Sequence, residues 1–257
     1  MSTIAARSFR SVPVRHPEWW WYAVAAAAGF VLVAEALGPD HHAAPAGFAG
    51  SVGSGLDHWF LMVLAMMVPM AAPQARGVAV RSLWARRHRA AAFFMVGHVA
   101  VWLLVGVVVV VGVTALETWR GPTEPAPWVV PALLVLAALW QVSPPRRRAM
   151  RRCGSVRLHA ADGVAADVDC ARAGVRAGAL CVVSCGAVML PMAVYPGAMH
   201  SLPLMAAVLA ILLWERAAGP NPATRPGRPH EALALLVLAA VVAAVTAGTL
   251  AHAPPLA

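Results

Sequence analysis

The sequence predicts an all-α, polytopic transmembrane helical bundle, and three observations support this prediction. Of the 257 residues, 60% are hydrophobic and 12% are charged, and the mean hydropathy is +0.69, which excludes an ordinary soluble globule. Apolar runs of about the 20 residues that cross a bilayer recur along the chain. The arginines lie between these runs. We therefore expect a single integral membrane domain over residues 1–257.

Seven apolar segments are long enough, or nearly so, to cross a bilayer, which takes roughly 17 to 25 residues. The fourth and sixth are short, so we expect them to pack inside the bundle or to thin the bilayer locally. The first exceeds the roughly 7 to 15 apolar residues of a secretory signal, which predicts a retained anchor. The segments cover residues 19–37, 58–75, 90–116, 128–142, 175–195, 200–213 and 231–250.

The arginines predict the orientation in the membrane. The formal charge of +9 comes from 20 arginines against 11 acids, since the chain has no lysine. Nineteen of the 20 arginines fall in alternate loops, and positively charged loops face the cytoplasm. The N-terminus is therefore expected in the cytoplasm and the C-terminus outside. With the arginines explained in this way, we expect no nucleic-acid partner.

Three connecting regions are expected to lack a core of their own. Residues 38–57 and 219–229 are rich in glycine, proline and alanine, which is typical of linkers. Residues 143–172 are basic and have no apolar period. This third region is expected to be a cytoplasmic loop that lies on anionic lipid.

A stripe of sulfur atoms is the first feature that indicates chemistry. In ALCVVSCGAVMLPM, residues 179–192, Cys181, Cys185, Met189 and Met192 fall within about 80° of one another on a helix. Thiolates and thioethers are soft ligands that favour Cu(I), and two side chains at i and i+4 can reach one ion. The alternative is that these residues are adaptable apolar fillers of a packed bundle.

The second segment carries a matching set of thioethers. Met62, Met66 and Met70 recur every four residues, and Met67 flanks them. Such a ladder opposite the sulfurs of the fifth segment would offer neutral sites that suit a monovalent soft cation. The alternative is that these methionines form an apolar stripe that faces lipid or the core and binds no ion.

Polar ligand types gather near the predicted outer face, where they could collect copper or zinc from the exterior. A solvated loop with scattered histidines explains them as well. Two further polar residues fall inside predicted spans, where such groups are usually paired. The outer group is Asp40, His41, His42, Asp57 and His58, with Met199 and His200 near the start of the sixth segment, and the two within spans are Glu35 and His98.

An ordered set of short motifs resembles one bacterial family. The motifs are FLMVLAMMVPMAAP (60–73), GHVAVW (97–102), WQVSPPRRRAMRRC (140–153), GALCVVSC (178–185) and GAMH (197–200), followed by Trp214-Glu215. Together, over residues 58–216, they resemble domain of unknown function family 2182, predicted metal-binding integral membrane proteins sometimes labelled copper chaperones.

The resemblance implies a multi-span membrane protein that handles copper or a related metal. Carried over by position, the suspected ligands are Met66, Met67, Cys181, Cys185 and Met199. This chain departs from the family in four places. Ser184 stands where the family usually has the first of two adjacent cysteines, and Met150 stands where the family usually has a cysteine in a loop. His200 replaces an asparagine of the family motif, and His98 replaces a common tyrosine.

The sequence thus predicts a protein of the bacterial cytoplasmic membrane that binds Cu(I) between its second and fifth segments and passes it across the bilayer or to a metal-receiving protein. No motif of an enzyme is present, so we expect no catalysis. The alternatives are a non-catalytic scaffold or assembly subunit and a small-solute permease, which would need more buried polar groups. The expected metal ligands are Cys181, Cys185, Met62, Met66, Met67, Met70, Met189, Met192, Met199 and His200.

Overall fold

A computed structural model describes residues 17–38, 47–121, 126, 128–153, 158, 160, 162–194, 198–217 and 229–251. Within these ranges every regular element is helical, which confirms the all-α prediction. A short 3-10 turn, Trp84–Arg86, precedes the third helix. The helices are α1 (Trp19–Leu37), α2 (Gly47–Arg81), α3 (Arg87–Arg120), α4 (Val129–Gln141), α5 (Pro144–Cys153), α6 (Gly163–Val194), α7 (Ala198–Ala217) and α8 (Pro229–Ala251).

Four helices, α1, α2, α3 and α6, are long and apolar enough to cross a membrane. The pair α4 and α5, bent by 66°, passes the same test together as a broken span or re-entrant loop. The apolar stretches described in α7 and α8, Leu202–Glu215 and Ala232–Val245, are shorter. The described part of the chain thus has four to five candidate spans by length and composition, and the count of seven and the orientation stay predictions.

Two expected loops contain helices. The linker expected at 38–57 is helical from Gly47, and a Cβ at Gly55 would lie 2.7 Å from Val110 Cγ1. Glycine there lets the beginning of α2 pack closely on α3.

The basic region expected as a loop at 143–172 contains α5 and the beginning of α6. The buried stripe of α5 consists of Arg146, Ala149 and Cys153. Because one of these three residues is an arginine, the sequence of α5 shows no apolar period.

The tightest helix contact joins α3 and α6, and glycines make it possible. A Cβ added at Gly97 would lie 2.2 Å from Ala171 O, and one added at Gly174 would lie 1.9 Å from Phe94 O. Small residues permit such close approach of backbones in membrane bundles. The rest of the bundle is therefore arranged around a rigid α3–α6 pair.

The buried core has two clusters stacked along the bundle. The sulfur-containing one contacts α2 between Trp59 and Met70. The other, the small-residue cluster, contacts α2 between Val68 and Ala79 and continues on α3 and α6. We define the small-residue cluster as Ala25, Val68, Ala71, Ala75, Val78, Ala79, Ala90, Ala91, Phe94, Met95, Cys170 and Ala177.

Ion pairs lie at the ends of both clusters. Beside the small-residue cluster, the carboxylate of Asp167 on α6 accepts hydrogen bonds from Arg86 and Arg89. Beside the other cluster, Arg146 on α5 pairs with Glu215 on α7. These three ion pairs join segments that are distant in sequence, so they help to fix how the helices are stacked.

Candidate metal centre

Among the described residues, nine buried sulfur side chains from three helices belong to one part of the core, and we call this set the sulfur cluster. Each of them is at most 6% exposed. They belong to one continuous group of buried apolar residues, which also contains Trp59, Trp102 and Leu134. The cluster consists of Met62, Met66, Met67 and Met70 on α2, Cys181, Cys185, Met189 and Met192 on α6, and Met205 on α7.

One contact joins the sulfurs of α2 directly to those of α6. The Sγ atom of Cys181 lies 3.9 Å from the Sδ atom of Met67, within reach of a thiol-to-thioether hydrogen bond. The sequence pattern had placed Met67 beside a ladder of Met62, Met66 and Met70. Instead, all four methionines are buried, and the flanking one meets the thiol.

The spacing of the helices explains why long side chains meet here. Both α2 and α6 pack closely on α3, and they approach each other less closely. Methionine has three rotatable bonds and a polarizable sulfur, so it fills irregular gaps of this kind. The gap between α2 and α6 is therefore filled with soft donor atoms.

Ser184 lies among the α6 sulfurs and is fully buried. Its hydroxyl donates to the carbonyl of Cys181 at 3.1 Å, one helical turn earlier. The same Oγ atom lies 3.5 Å from Cys185 Sγ. Where the family resemblance leads one to expect a further thiol, this chain has an oxygen in hydrogen-bond contact with a thiol.

Two tryptophans close one side of the sulfur cluster. Trp59 Nε1 donates to the carbonyl of Trp102 at 2.9 Å. A Cβ at Gly106 would lie 2.2 Å from Trp59 Cδ1, so the indole ring fills the notch left by this glycine. The result is a wall of two buried aromatic rings.

A polar junction lies at the edge of the cluster, where α4 ends and α5 begins. The buried guanidinium of Arg146 donates from Nε to the carbonyl of Ser184 (3.1 Å) and from Nη1 to the carbonyl of Gln141 (3.2 Å). It also pairs with Glu215 on α7. Trp140 Nε1 donates to the carbonyl of Val183 at 2.7 Å. Sequence reasoning missed this junction, and the arginine run directly after an apolar segment was the available signal.

The other predicted site residues are not members of the sulfur cluster, or they lie outside the described residues. Asp57 is exposed and His58 half-buried near the beginning of α2, and Glu35 is half-buried on α1. His98 is buried on α3, where its ring stacks on that of Phe94. Asp40, His41 and His42 lie outside the described residues, as do the side chains of Met199 and His200.

The donor types of the cluster discriminate between metals. Within the described ranges, no three His, Cys, Asp or Glu side chains group in a way that could hold an ion. Structural zinc sites use four ligands drawn mainly from thiolate and imidazole. Seven thioethers and two thiols instead fit a soft monovalent ion such as Cu(I). Met205 on α7 is a member of the cluster that the sequence analysis did not select.

Fold and site together define a helical protein with membrane-compatible spans and a buried, sulfur-rich core. The chain belongs to the PpoB2 family, which is described as copper chaperone and whose match covers residues 56–245. This range contains the whole sulfur cluster and the junction around Arg146, and it confirms the family resemblance drawn from the motifs. No curated protein and no solved structure matches the chain.

Proposed function

We propose that this protein is a multi-pass membrane protein that binds Cu(I) in the sulfur cluster and delivers it to a receiving protein or across the bilayer. The 3.9 Å contact between Cys181 Sγ and Met67 Sδ carries the proposal, because it joins soft donors of two separate helices. Membership of a copper chaperone family supports the choice of metal.

Neutral donors solve the main energetic problem of a buried cation. Removing a charge from water is costly unless other groups replace the hydration shell. Thioethers coordinate without adding charge, and one thiolate would neutralise Cu(I). Cys181, Cys185 and Met67 are the proposed central ligands. The remaining methionines of the cluster are proposed as alternative positions along which the ion exchanges ligands.

The proposed topology places seven spans in a bacterial cytoplasmic membrane with the N-terminus inside. The four long apolar helices, the bent α4–α5 pair and the shorter α7 and α8 would together supply the seven. The arginine distribution supports this orientation. We further propose that the protein has no enzymatic activity, and that Asp57 and His58, with Asp40, His41, His42, Met199 and His200, collect the ion at the outer face.

Cu(I) binding by the detergent-purified protein tests the proposal. We expect the wild-type chain to withdraw Cu(I) from a colorimetric chelator in near-stoichiometric amount. The double substitution of Cys181→Ser and Cys185→Ser should abolish this binding, because a hydroxyl is a hard and weak ligand for Cu(I). Folding of the variant is checked by its elution profile and helical circular dichroism.

The chain supplies a matched control. Cys153 and Cys170 are also buried thiols, but they lie outside the sulfur cluster. The double substitution of Cys153→Ser and Cys170→Ser removes the same number of thiols and should leave Cu(I) binding unchanged. Equal binding by wild type and the Cys181/Cys185 variant would instead favour a scaffold whose methionines and cysteines only fill space.

A further inference from the structure

The consecutive helices α4 and α5 present a surface with an apolar part and a basic part. The two helices meet at a bend of 66°, and together they pass the length and composition test for a broken or re-entrant membrane span. The first is almost entirely aliphatic, whereas half of the second is arginine. A helix suited to lipid is therefore continued, past a sharp bend, by a helix suited to anions.

The apolar part is the outer stripe of α4. Leu136 and Leu139, with Val142 just past the end of the helix, are between 43% and 61% exposed. They follow one another at intervals of three residues, which places them along one side of the helix. The opposite side of α4 is buried in the core. We call these three residues the aliphatic stripe, and acyl chains suit such a surface better than water does.

The basic part is the outer side of α5. Arg147, Arg148 and Arg151 are exposed, and we call them the arginine face. Within the described ranges, the carboxylates that form ion pairs do so with other arginines. Residues 139–153 contain no Asp or Glu. The arginine face therefore concentrates positive charge that no described carboxylate neutralises.

Neighbouring carbonyls of α6 hold the two parts side by side. Trp140 Nε1, near the end of α4, donates to the carbonyl of Val183. Arg146 Nε, near the beginning of α5, donates to the carbonyl of Ser184. Because both helices are attached to α6 by their inner sides, their exposed sides face away from it. The last residue of the aliphatic stripe and the first of the arginine face are five positions apart, so the two parts form one surface.

This surface fits an anionic phospholipid, because one such molecule carries both acyl chains and a phosphate. Guanidinium groups bind phosphate through two parallel hydrogen bonds. Inorganic phosphate would use only the arginine face, and an acidic protein would have to displace lipid from the aliphatic stripe. Between the two parts lies Trp140, a residue type that is enriched where membrane and water meet.

We propose that α4 and α5 form a binding site for one anionic phospholipid, with its acyl chains along the aliphatic stripe and its phosphate on the arginine face. The sequence predicted only a loop that lies on the membrane surface, whereas a helix fixed to α6 selects the charge of the headgroup and retains a single lipid. The inference rests on the proposed membrane location and is independent of Cu(I) binding.

Native mass spectrometry of the detergent-purified protein tests this site. The protein is titrated with equal amounts of phosphatidylglycerol and phosphatidylcholine that carry the same acyl chains, and each bound lipid is identified by its mass. We expect the wild type to prefer phosphatidylglycerol as its first bound lipid by about tenfold or more, because each basic residue beside an anionic lipid contributes about fivefold. The triple substitution of Arg147→Gln, Arg148→Gln and Arg151→Gln should remove this preference.

A matched variant and a second measurement complete the test. The triple substitution of Arg81→Gln, Arg120→Gln and Arg172→Gln removes the same charge from exposed positions on α2, α3 and α6, and it should keep the preference. In the wild type, the preference should fall as ionic strength rises, because salt screens interactions between exposed charges. This second measurement does not depend on whether any variant folds.

Several outcomes would overturn the lipid site. Equal affinity of the wild type for both lipids would do so, as would loss of the preference in both triple variants, which would indicate net charge as the cause. A wild-type preference in the α5 variant would leave the arginine face to an acidic protein. Displacement of the lipid by millimolar inorganic phosphate would show that the phosphate alone is recognised. These titrations contain no copper, so their failure and a failure to bind Cu(I) are separate results.

Discussion

The two buried clusters show how one bundle can be closed in one half and adaptable in the other. Beside the small-residue cluster, glycines bring α3 and α6 together so closely that added methyl groups would overlap backbone atoms. In the sulfur cluster, methionines of α2 and α6 fill the space between two helices that pack less closely on each other than on α3. Since methionine side chains are flexible, we expect the half that contains them to be the one that can rearrange around an ion.

Sulfur content alone does not distinguish the two halves. Met95 and Cys170 are also buried, and both belong to the small-residue cluster. The difference is that Cys181 on α6 meets Met67 on α2 at 3.9 Å, so donors of separate helices converge. Convergence of donors, rather than their presence, is what a metal site requires.

The largest expected effect follows from enlarging a residue in the closed half. Gly174→Val places a branched side chain where even a Cβ would lie 1.9 Å from Phe94 O. Backbone atoms cannot move aside as a flexible side chain can, so we expect a loss near the upper end of overpacking effects, about 3 kcal/mol. Thermal unfolding followed by a thiol-reactive dye, or the monodisperse fraction after detergent extraction, measures this loss.

The matched control for that substitution is Gly112→Val on α3. No atom lies within 4 Å of a Cβ at Gly112, so the same change of residue type meets open space. We expect its unfolding temperature to stay close to that of wild type. Similar losses in both variants would mean that valine disfavours these helices generally and that close packing of α3 on α6 is not the cause.

The next effect concerns Cu(I) affinity and compares two buried methionines. Met67→Leu keeps the volume but removes the thioether that meets Cys181, and we expect the dissociation constant for Cu(I) to rise about tenfold, or about 1.4 kcal/mol. Stability should change by less than about 1.5 kcal/mol, as is usual for exchange of these two residues. Competition with a chelator of known affinity measures the constant.

Met95→Leu provides the reference for this comparison. Met95 is as deeply buried as Met67 but lies in the small-residue cluster. Its substitution should leave the Cu(I) affinity unchanged. A loss of affinity in Met95→Leu equal to that in Met67→Leu would place the ion elsewhere or show that both changes act through folding.

Much of the fold was predictable because long apolar runs are a simple feature of the sequence. Long apolar runs can satisfy their backbone groups only as helices, so the all-α class and the approximate positions of α1, α2, α3 and α6 follow from hydropathy. The four-residue spacing of the sulfurs on α6 also predicted correctly that they share one buried face. These features depend on period and composition, which a single sequence contains.

The remaining features depend on contacts between distant segments. The helix α5 was missed because its buried stripe includes Arg146. The partners that accompany its burial include the carbonyl of Ser184 and the carboxylate of Glu215, which lie 38 and 69 residues later. Met205 joins the sulfur cluster because of how α7 packs, and its own neighbours in the sequence do not indicate this. Sequence periodicity predicts which side of a helix is buried, but the partner on the other side is a property of the assembled bundle.

The smallest expected effect tests the wall that separates the sulfur cluster from its surroundings. Trp59→Phe removes the hydrogen bond from Nε1 to Trp102 O but keeps an aromatic ring in the notch at Gly106. A single buried hydrogen bond contributes about 1 kcal/mol, which for a chain of this size lowers the unfolding temperature by about 2–4 °C. The Cu(I) affinity should not change, since no donor atom is lost.

Trp119→Phe, which alters an exposed indole on α3, is the control and should leave the unfolding temperature unchanged. The comparison is informative because the wall and the ligands are close in space but differ in chemistry. If Trp59→Phe lowered the Cu(I) affinity as strongly as Met67→Leu, the position of the indole would control the donors. The packing around the sulfur cluster would then depend on Trp59 and Trp102 more than on the methionines of the cluster.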